Sequence, residues 1–392
     1  MENILSNRIL ELSAAIYPRA KGIREHLHAH PELSWNESNT AKYIQSILDE
    51  HHISYTANIA THGIVASISG INPKEKCIAL RADMDALPIQ EISDMPYASC
   101  EPGVMHACGH DVHMACLLGA AIVLHQLKDQ ISGTIKIIFQ PSEEKQPSGA
   151  EAMILAGVLV NPKVDAIIGM HVTPELESGK IGYHVGEFMA SADEVYLTVK
   201  GKGGHAAQPH KIIDPLLIAS HILIALQQIV SRNANPSTPT VLSFGDMHAH
   251  GATNVIPDEV SIKGTLRTFD ESWRMLAHQK IESICKGIAQ GMGGDCDVSI
   301  PAGLPLVSND KQLTEKMLHQ LGTLFSEDQL MEMPIRMGSE DFGFYSQKIP
   351  ACFLRLGTRK DNAPITNLHT SSFDIDEQAI LTGIRLFCAA AL

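Results

Sequence analysis

Within nine positions, Met105-His106-Ala107-Cys108-Gly109-His110-Asp111-Val112-His113, the chain concentrates a thiol, several imidazoles and a carboxylate. These are the donor types that bind a zinc-class ion. Taken alone, the stretch admits three readings: a buried polar knot, a thiol nucleophile beside its base, or a metal site. Further donor clusters close apolar runs elsewhere, at Arg81-Ala82-Asp83-Met84-Asp85, Gln140-Pro141-Ser142-Glu143-Glu144, Met170-His171 and Leu368-His369-Thr370. Packing alone does not account for four such coincidences, which favours the metal reading.

Side chains so far apart in sequence must be brought together by regular elements. Through the first half, strand-like runs alternate with helical periodicity, the pattern of a parallel sheet with helices on its faces. The runs 77–80, 134–139 and 166–170 each lead directly into a polar cluster. Those clusters therefore project from the carboxyl ends of strands, where open α/β sheets build their sites. A helix is expected to begin near Asp111, through Cys116, Leu117, Ala120, Ala121 and Leu124, placing Cys108 and His110 at its amino terminus.

From about Ala190 to Ile300 the pattern changes. Strands are expected at 194–200, 240–247, 259–268 and 296–300, with helices at 214–232 and 271–291. This βαββαβ order is that of a ferredoxin-like sandwich. The fold class is thus α/β: a mainly parallel-sheet domain formed by 1–189 and 301–392, interrupted by an inserted domain at 190–300. The chain returns with a helix at 313–325, a strand at 351–356, the His369 loop and a terminal helix from Asp376.

A length of 392 residues exceeds the size at which single cores stop growing, consistent with two domains. With 30 Lys and Arg against 44 Asp and Glu, the formal charge of −14 opposes binding to nucleic acid or anionic membranes. The eight cysteines show no paired framework and read as reduced thiols, one of them chemically used. Charges at Arg8, Glu11, Arg19 and Lys21 break any signal-peptide core, and no uncharged apolar run reaches membrane-spanning length. A cytoplasmic location is expected.

In this order the motifs resemble the dinuclear metallo-aminohydrolases of the aminoacylase and carboxypeptidase superfamily, specifically the hippurate hydrolase and auxin-amino-acid conjugate hydrolase subgroup. The resemblance spans nearly the whole chain: His28 to Ser34, Arg81 to Pro88, Met105 to His113, Gln140 to Glu144, Gly201 to Ala207, Asn254 to Asp258, Gly338 to Phe342 and the His369 loop. It implies a metallopeptidase-type catalytic domain whose inserted domain serves as a lid and dimerisation module. It also implies Cys108, His110, Glu144, His171 and His369 as ligands of two divalent ions sharing a water or hydroxide. Two cations lower the pKa of a bound water and polarise a carbonyl, supplying nucleophile and Lewis acid together. Mixed S, N and O donors suit zinc, with manganese, cobalt or nickel as alternatives.

By the same resemblance Glu143 is the general base, and His205 reaches the other protomer's active site to stabilise the oxyanion. Where the wider superfamily has His-x-Asp, this chain has Arg81-Ala82-Asp83, so Cys108 replaces a lost imidazole. Asp83, or failing it Asp85, would orient a ligand imidazole. Asn254 and Arg267 are candidate substrate contacts; Arg267 offers a planar fork for a carboxylate, but also fits a surface arginine on an edge strand. His28, His30, His106, His113, His248 and His250 are left as structural or peripheral among 20 histidines.

The implied reaction is hydrolysis of the amide of a small N-acyl amino acid, releasing a carboxylic acid and an amino acid, in a homodimer or dimer-based oligomer. A dipeptidase or carboxypeptidase on the same scaffold is the alternative. A Cys108-dependent acyltransferase with His110 or His113 as base is the reading from another class; it leaves Glu143, Glu144, His171 and His369 unexplained.

Overall fold

The computed structural model describes residues 2–392, with side chains from Ile4 onward. By internal contacts the chain forms two compact units, Met1–Gly186 with Ser308–Pro334 and Phe344–Leu392, and Glu187–Val307 with Ile335–Gly343. Segments 301–307 and 335–343, placed with the catalytic domain in the sequence reading, fall in the second unit. The bridges Met189 to Arg336 and Ala192 to Leu304 tie them to the strands Gly186–Met189 and Ser191–Lys200.

Among the described residues, the first unit holds an eight-stranded sheet. Its spatial order is Tyr55–Ile59, Gly63–Ser69, Thr134–Gln140, Cys77–Asp83, Ala166–Glu177, Ala351–Arg359, Ile181–Tyr183 and Leu330–Glu332. The central four strands run parallel. Every residue of Cys77–Asp83 and Thr134–Gln140 is buried, as expected of parallel strands covered on both faces. Lys136, inside this sheet, is tolerated because its ammonium donates to the carbonyls of Val158, Asn161 and Pro162 at 2.7, 3.2 and 3.0 Å. The antiparallel hairpin of Tyr55–Ile59 and Gly63–Ser69 at one edge was not foreseen. Its outer strand alternates exposed and half-buried residues and carries little apolar signal.

The helix His110–Gln126 is buried from His110 through Leu124, which explains why it is apolar on all sides. It packs against the sheet, the first helix Glu2–Ala29 and the last helix Gln378–Ala390. A Cβ on Gly383 would lie 2.4 Å from Cys116 Sγ, so the approach of the last helix depends on that glycine. The donor-bearing end of His110–Gln126 is thereby held from both sides.

In the second unit, strands Thr240–His248, Glu259–Thr268, Ser191–Lys200 and Asp295–Ser299 form an antiparallel sheet in that order. Helices Pro215–Gln228 and Glu271–Gly291 supply Ile218, Ile222, Leu226, Ala277 and Ile281 to its core. Alternating burial along Ser191–Lys200 marks one covered face. This is the expected βαββαβ sandwich. Among the described residues one helix, Pro215–Asn233, is long and apolar enough by length and composition to cross a membrane, although it carries Arg232.

Asp193 ties this unit together. It accepts Arg274 Nε and Nη2 at 2.7 and 2.6 Å, lies 2.8 Å from His278 Nε2, and accepts the Gly303 amide at 3.2 Å. Burial pushes its pKa up, but the Arg274 and His278 hydrogen bonds outweigh this and hold it below the ordinary carboxylate value. The resulting stability is present above the unfolded pKa of about 3.9 and is lost as pH falls through the depressed value. Arg274→Met is expected to destabilise the protein by about 3–5 kcal/mol in denaturant titration, because it leaves a buried carboxylate short of its main partner. An unchanged midpoint would reject that account.

Candidate metal centre and active site

The site-bearing residues of the first unit sit where its strands end, except His171, which was expected just past a strand and instead lies inside one, beyond the point where pairing with Cys77–Asp83 stops. After Cys77–Asp83 come Met84 and Asp85; after Thr134–Gln140 comes the turn bearing Glu143 and Glu144; His171 lies on Ala166–Glu177. Ser142 takes a left-handed conformation, φ 48°, and its amide donates to Glu37 Oε1 at 2.8 Å. This strained turn aims the two glutamates. Asp85 fixes them further, accepting the Glu143 and Glu144 amides at 3.0 Å each and the Ser34 hydroxyl at 2.6 Å.

Cys108 and His110 are separated by Gly109, whose φ of 80° favours glycine and whose Cβ would fall 2.5 Å from Val172 Cγ2. That residue caps the amino terminus of the helix His110–Gln126 between the two donors. Behind it, Asp111 Oδ2 lies 2.7 Å from Arg24 Nε and 2.8 Å from His28 Nδ1, anchoring the helix start to the first helix. Burial pushes His28 down, but Asp111 prevails and raises it to about 9.

Four side chains, His110, Glu144, His171 and His369, converge on the Cys108 sulfur. His171 Nε2 and His369 Nε2 each lie 3.2 Å from Cys108 Sγ, and His369 Nε2 lies 3.4 Å from Glu144 Oε1. His171 Nδ1 donates to the Val172 carbonyl at 2.8 Å, which turns Nε2 towards the sulfur. His369 is held by its amide, which donates to Ala107 O at 2.9 Å. Two donor triplets share Cys108: Cys108, His110 and His171, and Cys108, Glu144 and His369, the atoms of each lying within 4.8 Å of one another.

This donor set fits divalent cations. His110 Nε2 and Glu144 Oε1 are buried without a hydrogen-bond partner, although such groups normally find one. Burial pushes His110 down, yet the charges of Asp83 and Asp85 raise it to about 10, so the cluster attracts positive charge. Burial and then the arginine Arg355 lower His171 and keep its lone pair available. Burial, then Glu144 and Glu143, push the Cys108 thiol up. An acyltransferase reading gives no task to His171, His369 and Glu144, which crowd the same sulfur.

The structure divides the carboxylates differently from the expectation for Asp83. Asp83 Oδ2 accepts Arg81 Nη1 at 2.7 Å, and its Oδ1 lies 2.6 Å from His113 Nδ1 but 3.7 Å from His110 Nδ1. Asp85 Oδ1 is nearer His110, at 3.3 Å. Orientation of His110 therefore falls to Asp85, and Asp83 serves His113. Asp85 and His113 were underrated in the sequence reading. The signal for His113 was its position three residues after His110, one helical turn along the same face.

In the second unit, His205 is exposed and paired with Val255, and the Ala206 amide donates to Asn254 O at 3.0 Å. His205 and Asn254 thus share one turn. The Ala207 amide donates to His205 Nδ1 at 3.1 Å, so in the neutral ring the proton sits on Nε2. Arg267 lies on an inner strand, between Thr240–His248 and Ser191–Lys200, and not on an edge. It is half-buried and donates to Ser339 Oγ at 2.8 Å and Thr265 Oγ1 at 3.2 Å.

Residues 79–392 match the Peptidase family M20/M25/M40. The chain belongs to this family. This M20 protein is 38% identical over 380 residues to an N-acetylcysteine deacetylase of Bacillus subtilis, covering 96% of this chain and 97% of the relative. It is 45% identical over 290 residues to an N-acyl-L-amino acid amidohydrolase of Geobacillus stearothermophilus, covering 74% and 77%. Among solved structures, a dinuclear metal-binding M20 peptidase of Bacillus subtilis superposes with a TM-score of 0.84 at 35% identity, covering 96% of this chain and 98% of that one. The M20 protein is accordingly an enzyme, a hydrolase acting on amides.

Proposed function

We propose that this M20 enzyme hydrolyses the amide of N-acyl amino acids, with two divalent cations held by Cys108, His110, Glu144, His171 and His369. The observation carrying the reading is the sulfur shared by two donor triplets, with a second glutamate beside the one it needs. The names of its amidohydrolase and deacetylase relatives support the substrate class. When bound, the cations would acidify a water and polarise the scissile carbonyl. Zinc suits the donors best.

Glu143 belongs to neither sulfur-sharing triplet. Its carboxylate lies 4.0 Å from His110 Nε2, and its backbone is fixed by Asp85. It takes the proton of the attacking water and delivers it to the departing nitrogen. His205, as the Nε2–H tautomer, donates to the oxyanion in the partner protomer. Asn254 and Arg267 bind the substrate, Arg267 through a carboxylate. Homodimerisation through the second unit is supported by exposed Leu217, Ile224 and Val230 and by the sheet-edge strand Thr240–His248. Eight cysteines without a disulfide support a reducing compartment, and we propose the cytoplasm.

Elemental analysis of purified protein is expected to find up to two divalent ions per chain. Chelator-stripped enzyme should lose turnover and regain it on addition of zinc, manganese, cobalt or nickel. Cys108→Ala and Glu144→Ala should lower occupancy and turnover together. A panel of N-acyl amino acids and dipeptides then separates the amidohydrolase from the dipeptidase. Full turnover by rigorously metal-free protein would overturn the reading.

A further inference from the structure

We propose that His113 is a positioning residue that holds the ligand histidine His171 in place without binding metal itself, an inference that rests on the metal centre described above. His113 is fully buried one helical turn after His110, and its ring centroid lies 4.8 Å from that of His171. By proximity alone it belongs to a cluster with Asp83 and His110 that could hold a cation. Its hydrogen bonds assign it a different task.

The Val172 amide donates to His113 Nε2 at 3.0 Å. An amide N–H only donates, so Nε2 carries its lone pair towards Val172 and the ring proton resides on Nδ1. Nδ1 then donates to Asp83 Oδ1 at 2.6 Å. Both ring nitrogens are committed, and no lone pair remains for a metal. Asp83 is likewise occupied: its other oxygen accepts Arg81 Nη1 at 2.7 Å, and Arg81 Nε donates to Gln140 Oε1 at 2.9 Å. A continuous chain from Gln140 through Arg81, Asp83 and His113 to Val172 crosses the ends of three parallel strands.

Sheet register explains why this support is needed. The pairing of Ala166–Glu177 with Cys77–Asp83 ends at Gly169 opposite Arg81, whereas its pairing with Ala351–Arg359 continues past Val172. Beyond Gly169 the strand keeps a neighbour on one side only, and His113 supplies a hydrogen bond where the missing strand would have done so. The Val172 carbonyl accepts His171 Nδ1 at 2.8 Å and Arg355 Nη2 at 3.2 Å. With Val172 fixed at its N–H by His113 and at its carbonyl by these two groups, the His171 ring is turned so that Nε2 faces Cys108.

Isosteric half-replacements separate support from ligation. His113→Gln places an amide oxygen near the Nε2 position and preserves acceptance from Val172. His113→Asn places an amide nitrogen near Nδ1 and preserves only the contact with Asp83. Cation affinity of the purified full-length protein is measured by competition with a chromophoric chelator, using zinc and cobalt. The sulfur-to-cobalt charge-transfer band reports the Cys108 centre independently of activity.

The Asn variant is expected to bind one of its two ions about 10–100-fold more weakly, the usual loss for an outer-shell partner. The Gln variant should stay close to wild type in affinity and in the cobalt band. Turnover of the Asn variant should climb as cation concentration rises. Equal weakening in both variants, or none in either, overturns the proposal. If the Asn protein does not fold, the Gln protein decides alone: a loss as large as that of Cys108→Ala would make the imidazole a ligand and overturn the proposal. Failure of the metal centre itself is distinguishable, since the wild-type protein would then bind no divalent ion.

Discussion

Replacing Glu143 by Gln is expected to lower turnover about 10²–10⁴-fold, the worth of general base catalysis, while the protein keeps its metal. The substitution preserves size and leaves the backbone amide free to donate to Asp85, so the turn that carries Glu144 is undisturbed. What disappears is a carboxylate able to take a proton beside the shared-sulfur cluster. Metal content by elemental analysis and kcat on an N-acyl amino acid, measured on the same preparation, make the comparison. Glu144→Gln provides the contrast, because Glu144 Oε1 lies 3.4 Å from His369 Nε2 inside a donor triplet. That variant should lose metal and turnover in proportion. If Glu143→Gln behaves in this way instead, the two glutamates have exchanged roles.

His205→Ala is expected to reduce turnover about 10²–10³-fold, the usual loss on removing one oxyanion donor. The protein should remain folded, dimeric and metal-loaded. The Ala207 amide fixes the neutral ring with its proton on Nε2, which makes His205 a donor of the kind an oxyanion needs. Mixing His205→Ala with Glu143→Gln subunits tests whether it acts across the dimer. In a mixed dimer one site would carry both defects and the other neither, and activity should return to about half of wild type by counting sites in a two-fold assembly. No recovery, despite demonstrated subunit exchange, would mean that His205 serves its own chain or has no catalytic role.

Much of this arrangement is local in sequence. Cys77 to Leu80, Thr134 to Phe139 and Ala166 to Met170 are apolar runs that end in donors, and buried parallel strands place their carboxyl ends together. Order and type of residue were therefore enough to mark these donor clusters, because strand burial and helix periodicity are read over a few neighbouring residues, whereas the roles of Cys108, His110, Glu143, Glu144 and His171 were implied by the family resemblance. The second unit was legible for the same reason: the alternation along Ser191–Lys200 and the stripes of Pro215–Gln228 and Glu271–Gly291 each announce one buried face.

Tertiary structure alone decided which polar group serves which. Asp83 and Asp85 are two residues apart with equivalent side chains, and only the final positions of the His110 and His113 rings and the Glu143 turn separate their roles. His113 gained its place because strand pairing stops at Gly169, a register that no single strand reveals. Arg24 and His28 meet Asp111 across 87 and 83 residues of sequence. Such bonds form at about 3 Å and depend on direction, so a shift of one residue in register or a modest helix rotation would break them. Apolar periodicity tolerates errors of that size. The sequence alone thus identified the elements and the donor types, whereas the folded chain determined the hydrogen-bond partners that hold those donors in place.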